Sequence, residues 1–94
     1  MAVRRLANKL VADVDGTELH CTQHAFERIV QYEVDINDIM AVYKNPSAVQ
    51  PDAHDPMKRN YEGVTTRGRR LKICVGFRDE TPRLVTAYYR DLEG

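Results

Sequence analysis

Two residues one helical turn apart, His24 and Arg28 in "CTQHAFERIVQ", pair a group that exchanges protons near neutrality with a permanent cation. Positions i and i+4 of an α-helix lie one above the other, so both side chains address the same volume. A histidine near a helix N-terminus also loses some basicity to the positive end of the helix dipole. Much later, "RLVTAYYR" offers Thr86 and Tyr88, two hydroxyls at the spacing that puts them on one face of a strand. Cofactor-free RNA cleavage needs little more. The substrate's own 2′-hydroxyl is the nucleophile, and the protein supplies a proton-transfer group, a cation for the phosphorane and donors for orientation. Each residue also has an ordinary explanation. His24 could simply cap or pack, Arg28 could pair with Glu27 in solvent, and Thr86 and Tyr88 are good strand formers.

Other chemistries lack their parts. No glycine-rich phosphate loop, dinucleotide fingerprint or GxSxG is present. His20, Cys21, His24 and Cys74 supply nitrogen and sulfur enough for zinc. However, His20 and Cys21 adjoin in a predicted strand and so point to opposite faces, and no second ligand pair has zinc spacing. Neither a metal nor a cofactor is expected. Cys74, mid-strand among apolar residues, is poorly placed to be a thiolate, and two cysteines without an export signal are expected to be reduced and buried.

The formal net charge is zero, with 14 basic and 14 acidic residues, which argues against nonspecific coating of nucleic acid. The charge is unevenly distributed. Lys58, Arg59, Arg67, Arg69, Arg70 and Lys72 fall in one stretch against the single acid Glu62. With Arg90, and with Tyr61 as an aromatic able to stack on a base, they form a candidate RNA-binding surface; a solvated hairpin face is the plainer alternative.

The elements that must position these groups read as follows. At 94 residues, 43% hydrophobic and 30% charged, the chain has the size and composition of one globular domain, 1–94. Residues 1–16 have weak periodicity and end at an Asp15-Gly16 turn, reading as a short helix, a strand or a loosely ordered arm. "ELHC" predicts a short strand and Thr22 the cap of a helix from Gln23, with Ala25, Ile29 and Tyr32 beside Phe26 and Val30 as its apolar stripe. "VDINDIMAVYKNP" predicts a second helix capped by Asp35 or Asn37 and stopped at Asn45-Pro46. "SAVQPDAHDPMK" reads as a short strand entering an exposed loop. "KRNYEGVT", "RLKICVGF" and "RLVTAYYR" then read as strands separated by turns at "TRGR" and "RDETP". The expected fold is α+β, two helices on one face of an antiparallel sheet of three to four strands. The longest apolar runs fall far short of the ~20 residues that span a bilayer. "MAVRRLANKLVADVDG" lacks a signal-peptide core, so the cytoplasm is the expected compartment and no membrane partner is expected.

The order of these features resembles a family of small bacterial and phage domains of unknown function. Its pattern is a strand, a helix bearing HAxxR, a second helix ending near Asn-Pro and a last strand with Thr-x-Tyr. The matching residues are His24, Ala25, Arg28, Ile36, Asn37, Ile39, Asn45, Pro46, Thr86 and Tyr88, spread over residues 18–90. The family looks like part of the RelE-like toxin superfamily, with its barnase-, EndoU- and colicin-type endoribonucleases. The resemblance implies a RelE-like fold and a metal-independent ribonuclease site. His24 would be its acid or base, Arg28 its electrostatic stabiliser, and Thr86 and Tyr88 its positioning groups. It also implies RNA as substrate and an antitoxin or immunity protein as partner. "QYEVDI" stands where the commoner pattern has an Arg-Gly pair before the isoleucine, removing one basic residue from the rim. Two other uses of the scaffold stay open: a catalytically inactive toxin-like or phage accessory module binding a protein partner, and DNA binding without cleavage.

Overall fold

The computed structural model describes residues 2–6, 9–14, 17–78 and 82–90, with side chains from Leu19 onward. Thr22 converts strand β3 (Thr17–Cys21) into helix α1 (Gln23–Gln31): its hydroxyl accepts from the Ala25 N–H at 3.1 Å, satisfying one of the helix's orphan donors. Ala25 and Ile29, one turn apart, are buried. Val30 and Tyr32, expected in the same stripe, are 61% and 44% exposed. Val30 stands about 100° round the helix from Ile29, and Tyr32 is the C-cap, where the chain leaves helical geometry. Glu33 then takes φ +52°, a left-handed conformation that turns the chain back and buries Val34. Asp35 caps helix α2 (Ile36–Lys44) by accepting from the Asn37 N–H at 2.8 Å, and Asn45 closes it ahead of Pro46.

Strands β4 (Ala48–Pro51), β5 (Lys58–Val64), β6 (Arg70–Gly76) and β7 (Arg83–Tyr89) form an antiparallel meander. β7 also pairs in parallel with β3, at His20↔Arg83 and Cys21↔Leu84. The result is a five-stranded mixed sheet, β3-β7-β6-β5-β4. It is prolonged past β3 by the antiparallel strands β1 (Ala2–Leu6) and β2 (Lys9–Val14), giving the order β1-β2-β3-β7-β6-β5-β4. The α+β class with two helices therefore holds, but three to four antiparallel strands was too few. The parallel joint between β3 and β7 links segments distant in the chain and leaves no trace in local periodicity. Strand pairing likewise takes in most of residues 1–16. The Asp15-Gly16 turn and the centre of the "RDETP" turn lie outside the described residues. No helix among the described residues is long and apolar enough to cross a membrane.

Leu71, Ile73 and Val75 of β6 and Leu84, Ala87 and Tyr89 of β7 are buried against Ala25 and Ile29 of α1 and Ile39, Met40 and Val42 of α2. Gly63 on β5 permits a close approach of α2, since a Cβ there would lie 3.1 Å from Val42 Cγ2. Strand β7 does not alternate strictly. Cys74 pairs with Thr86 but Val75 with Leu84, leaving Val85 as the extra residue of a bulge. Simple alternation groups Leu84 with Thr86, Tyr88 and Arg90. The bulge instead turns Leu84 inward with Ala87 and Tyr89 and brings Arg83 round to the side of Thr86 and Tyr88.

Candidate nucleic-acid interface

Both helices pack on one face of the sheet, and register fixes what stands on the other. Lys58, Gly76, Arg83 and His20 form one row across β5, β6, β7 and β3; Asn60, Cys74 and Thr86 form the next; Glu62, Lys72 and Tyr88 the third. Arg70 follows beyond the third row, opposite Val64. β4 adds Gln50 beside Asn60 and Ala48 beside Glu62. The face is polar and weighted toward cations because every apolar β6 residue of odd number is taken up by the core.

Its electrostatics follow from who is paired. Arg90 bonds the Glu62 carboxylate, both side chains being 36% exposed. At one margin the Asp55 carboxylate lies 3.0 Å from Arg78 Nη2 and 3.9 Å from Lys58 Nζ. Asp52 ties the same loop, accepting from the N–H groups of His54 and Asp55 at 3.0 Å and from the Asn60 amide at 3.3 Å. Backbone donors hold both of these carboxyls below the usual carboxylate range, His54 N–H for Asp52 and Met57 N–H for Asp55. Lys72 and Arg70 have no ion pair among the described residues, so the middle and far end of the face carry the uncompensated charge. Cys74 is buried in this face, and burial, then the Asp52 charge, pushes its thiol up, which rules out a ready nucleophile. Cys21 faces the core instead. Both cysteines are free, as expected. A groove of about 280 Å³ lies between Ala48, Gln50, Asn60, Glu62, Lys72 and Arg90.

The residues singled out from sequence are distributed unevenly over this geometry. Thr86 and Tyr88 lie on the uncovered face, half-buried. His24 is exposed on α1, and Arg28 sits beside it with its guanidinium carbon 5.8 Å from the Tyr32 ring centroid. No hydrogen bond or ion pair among the described residues joins His24 or Arg28 to Thr86 or Tyr88. The link from β7 to the helices runs through Tyr89. Its hydroxyl donates to Asp38 Oδ2 at 2.7 Å and accepts from the Asp35 N–H at 3.2 Å.

The basic hairpin is divided between the two sides of the sheet. Lys58, Arg70 and Lys72 belong to the uncovered face by register, and Arg90 reaches it through Glu62. Arg67 lies 3.8 Å from Asp35 and 3.9 Å from buried Asp38, and Arg69 stacks 3.8 Å above the Tyr89 ring. Those two brace the start of α2. Arg59 lies 5.3 Å over the Phe77 ring, and Tyr61 is buried with its ring centroid 5.4 Å from that of Tyr43, so it is a core residue and has no face for a base. The sequence offers His20 only as a metal ligand and carries no signal for Asn60 or Arg83. The β3–β7 pairing places His20 next to Arg83 on the uncovered face, its Nδ1 enclosed and without a hydrogen-bond partner. Among the described residues no group of three His, Cys, Asp or Glu is arranged to hold a metal.

Residues 21–89 match a family model described as a domain of unknown function, DUF4258. The chain belongs to the DUF4258 family. The match begins at the last residue of β3 and ends at the last of β7, so the DUF4258 region contains both helices, the meander and nearly all of the uncovered face. No curated protein and no solved structure matches the chain.

Proposed function

We propose that this DUF4258 domain binds RNA across the uncovered face of its sheet. The observation that carries this is the register, which gathers Lys58, Arg70, Lys72 and Arg83 with Asn60, Thr86 and Tyr88 on one side. Single-stranded nucleic acid is held by cations along its backbone together with aromatic and hydrogen-bonding groups for its bases, and this face supplies all three. Lys72 and Tyr88 are direct cross-strand partners at its centre, a charge beside a ring. Fluorescence anisotropy with a labelled single-stranded RNA tests the idea. Tyr88→Ala and Lys72→Ala are each expected to weaken binding roughly tenfold. Arg67→Ala, which removes a helix-side brace, should change stability instead. Equal affinity of wild type and the Lys72→Ala,Tyr88→Ala double variant would defeat the proposal.

The second reading adds chemistry: a metal-independent endoribonuclease of RelE-like toxin type, acting by 2′-hydroxyl attack. What favours it is that Thr86 and Tyr88 share their face with a half-buried histidine, His20, while His24 stands exposed at the start of α1. Either imidazole could serve as the proton-transfer group. Cleavage in the presence of EDTA leaving cyclic phosphate ends, and lost in His20→Ala or His24→Ala, is the expected result. RNA that is retained but never cut would leave the binding reading alone, and an antitoxin-like partner would lose its rationale.

A further inference from the structure

The groove beside β4 is built round a carboxylate that stands in one of the strands of the face. Glu62 lines it together with Lys72, Arg90, Gln50 and Asn60, and it is open because the cross-strand neighbour of Glu62 is Ala48, too short to form a wall. With Arg90 bonded to it, the Glu62 carboxylate still has acceptor positions to spare, so the groove suits an occupant that offers N–H donors as well as acceptors. At about 280 Å³ it lies just below the usual range for ligand sites, room enough for one heterocycle.

Resting on the RNA reading above, we propose that this groove takes a guanine base. Guanine's pairing edge has two adjacent N–H donors, N1 and N2, beside the O6 acceptor. A carboxylate flanked by cations is its complement: Glu62 accepts from N1–H and N2–H while Lys72 donates to O6. Cytosine presents one donor group and two acceptors, uracil one donor between two acceptors, and adenine one of each; all three leave a carboxylate oxygen without its bond. The bond from Arg90 does not close the site, because a carboxylate accepts at about four lone-pair positions and that bond occupies one. It holds the Glu62 carboxylate in place. Gln50 and Asn60, paired across β4 and β5, supply amides to the rest of the base edge. Tyr88, the cross-strand partner of Lys72, is the next residue of the same row.

The test uses uncleavable 2′-O-methyl hexamers of uridine in which the third position is G, A, C or U, each labelled and titrated with the full chain by anisotropy. The G-containing hexamer is expected to bind roughly tenfold tighter than the other three. Glu62→Gln should bring the four affinities to within about twofold of one another, because an amide donates where guanine also donates. Ala48→Leu fills the groove from the opposite strand with every charge left in place, and should erase the preference too. Equal affinity of all four hexamers for wild type, or preference for another base, overturns the guanine assignment and leaves RNA binding standing. Binding of none removes the RNA reading and this inference with it. A preference that survives both variants places the selecting residues elsewhere and also overturns it.

Discussion

Cys21 is the last residue of β3 and lies at the base of the core beneath α1, 2% exposed. Burial pushes its thiol up from 9.0 to about 12. The folded state thus holds the neutral form while the unfolded chain ionises first. The stability from this group is fully present below pH 9 and is lost as pH rises toward 12. Cys74 is raised in the same direction, also chiefly by burial. Tyr43 and Tyr89 follow from pH 10 upward, burial again being the main cause. Urea unfolding midpoints are therefore expected to be flat from pH 7 to about 9 and to fall steadily beyond it. In Cys21→Ala the midpoint should be lower at pH 7, because a cavity is left, and should fall less steeply between pH 9 and 11. An identical slope in the two proteins would show that another group governs the alkaline limb.

The contact between α2 and the sheet depends on one missing side chain. Gly63→Ala places a methyl 3.1 Å from Val42 Cγ2, a side chain buried in the core. It should cost about 1–3 kcal/mol, measured as a shift of the urea midpoint, whereas Val42→Ala,Gly63→Ala together should lose less than the sum. The elements themselves were largely legible in the sequence. Thr22, Asp35 and Asn45-Pro46 mark helix ends through side-chain oxygens and a proline, which act within a few residues of where they stand. Facing was less legible. Leu84 could not be placed inward without knowing that Val85 bulges. Arg67 and Arg69 could not be told from Arg70 and Lys72, because the turn at Gly68, φ +77°, sets Arg67 against Asp35 and Asp38 while Arg69 stacks on the Tyr89 ring, a residue distant in the chain. Tyr61 looked like a stacking ring for want of its partner Tyr43, which belongs to a different element.

Over the whole molecule zero net charge and a cationic face coexist, because the register gathers Lys58, Arg70, Lys72 and Arg83 on that face, whereas Asp35 and Asp38 sit beside Arg67 at α2 and Glu62 is bonded to Arg90. RNA binding should therefore be electrostatic but shallow in its salt response. With about four phosphates neutralised, a plot of log affinity against log salt is expected to have a slope near −3, and Lys72→Ala should reduce it by about 0.7. A slope unchanged by that substitution would take Lys72 off the RNA path. The site half carried by His20 and Arg83 stayed hidden in the sequence for a reason belonging to this scale: only the β3–β7 pairing makes them neighbours. That pairing also dictates an order of assembly. β4, β5, β6 and β7 can zip together from adjacent segments, whereas β3, which precedes both helices, reaches β7 only across most of the domain. Until β3 docks, His20 and Arg83 are not neighbours. The slow step of folding is therefore expected to be the closure of that long loop, after the meander has formed and just as the uncovered face becomes complete.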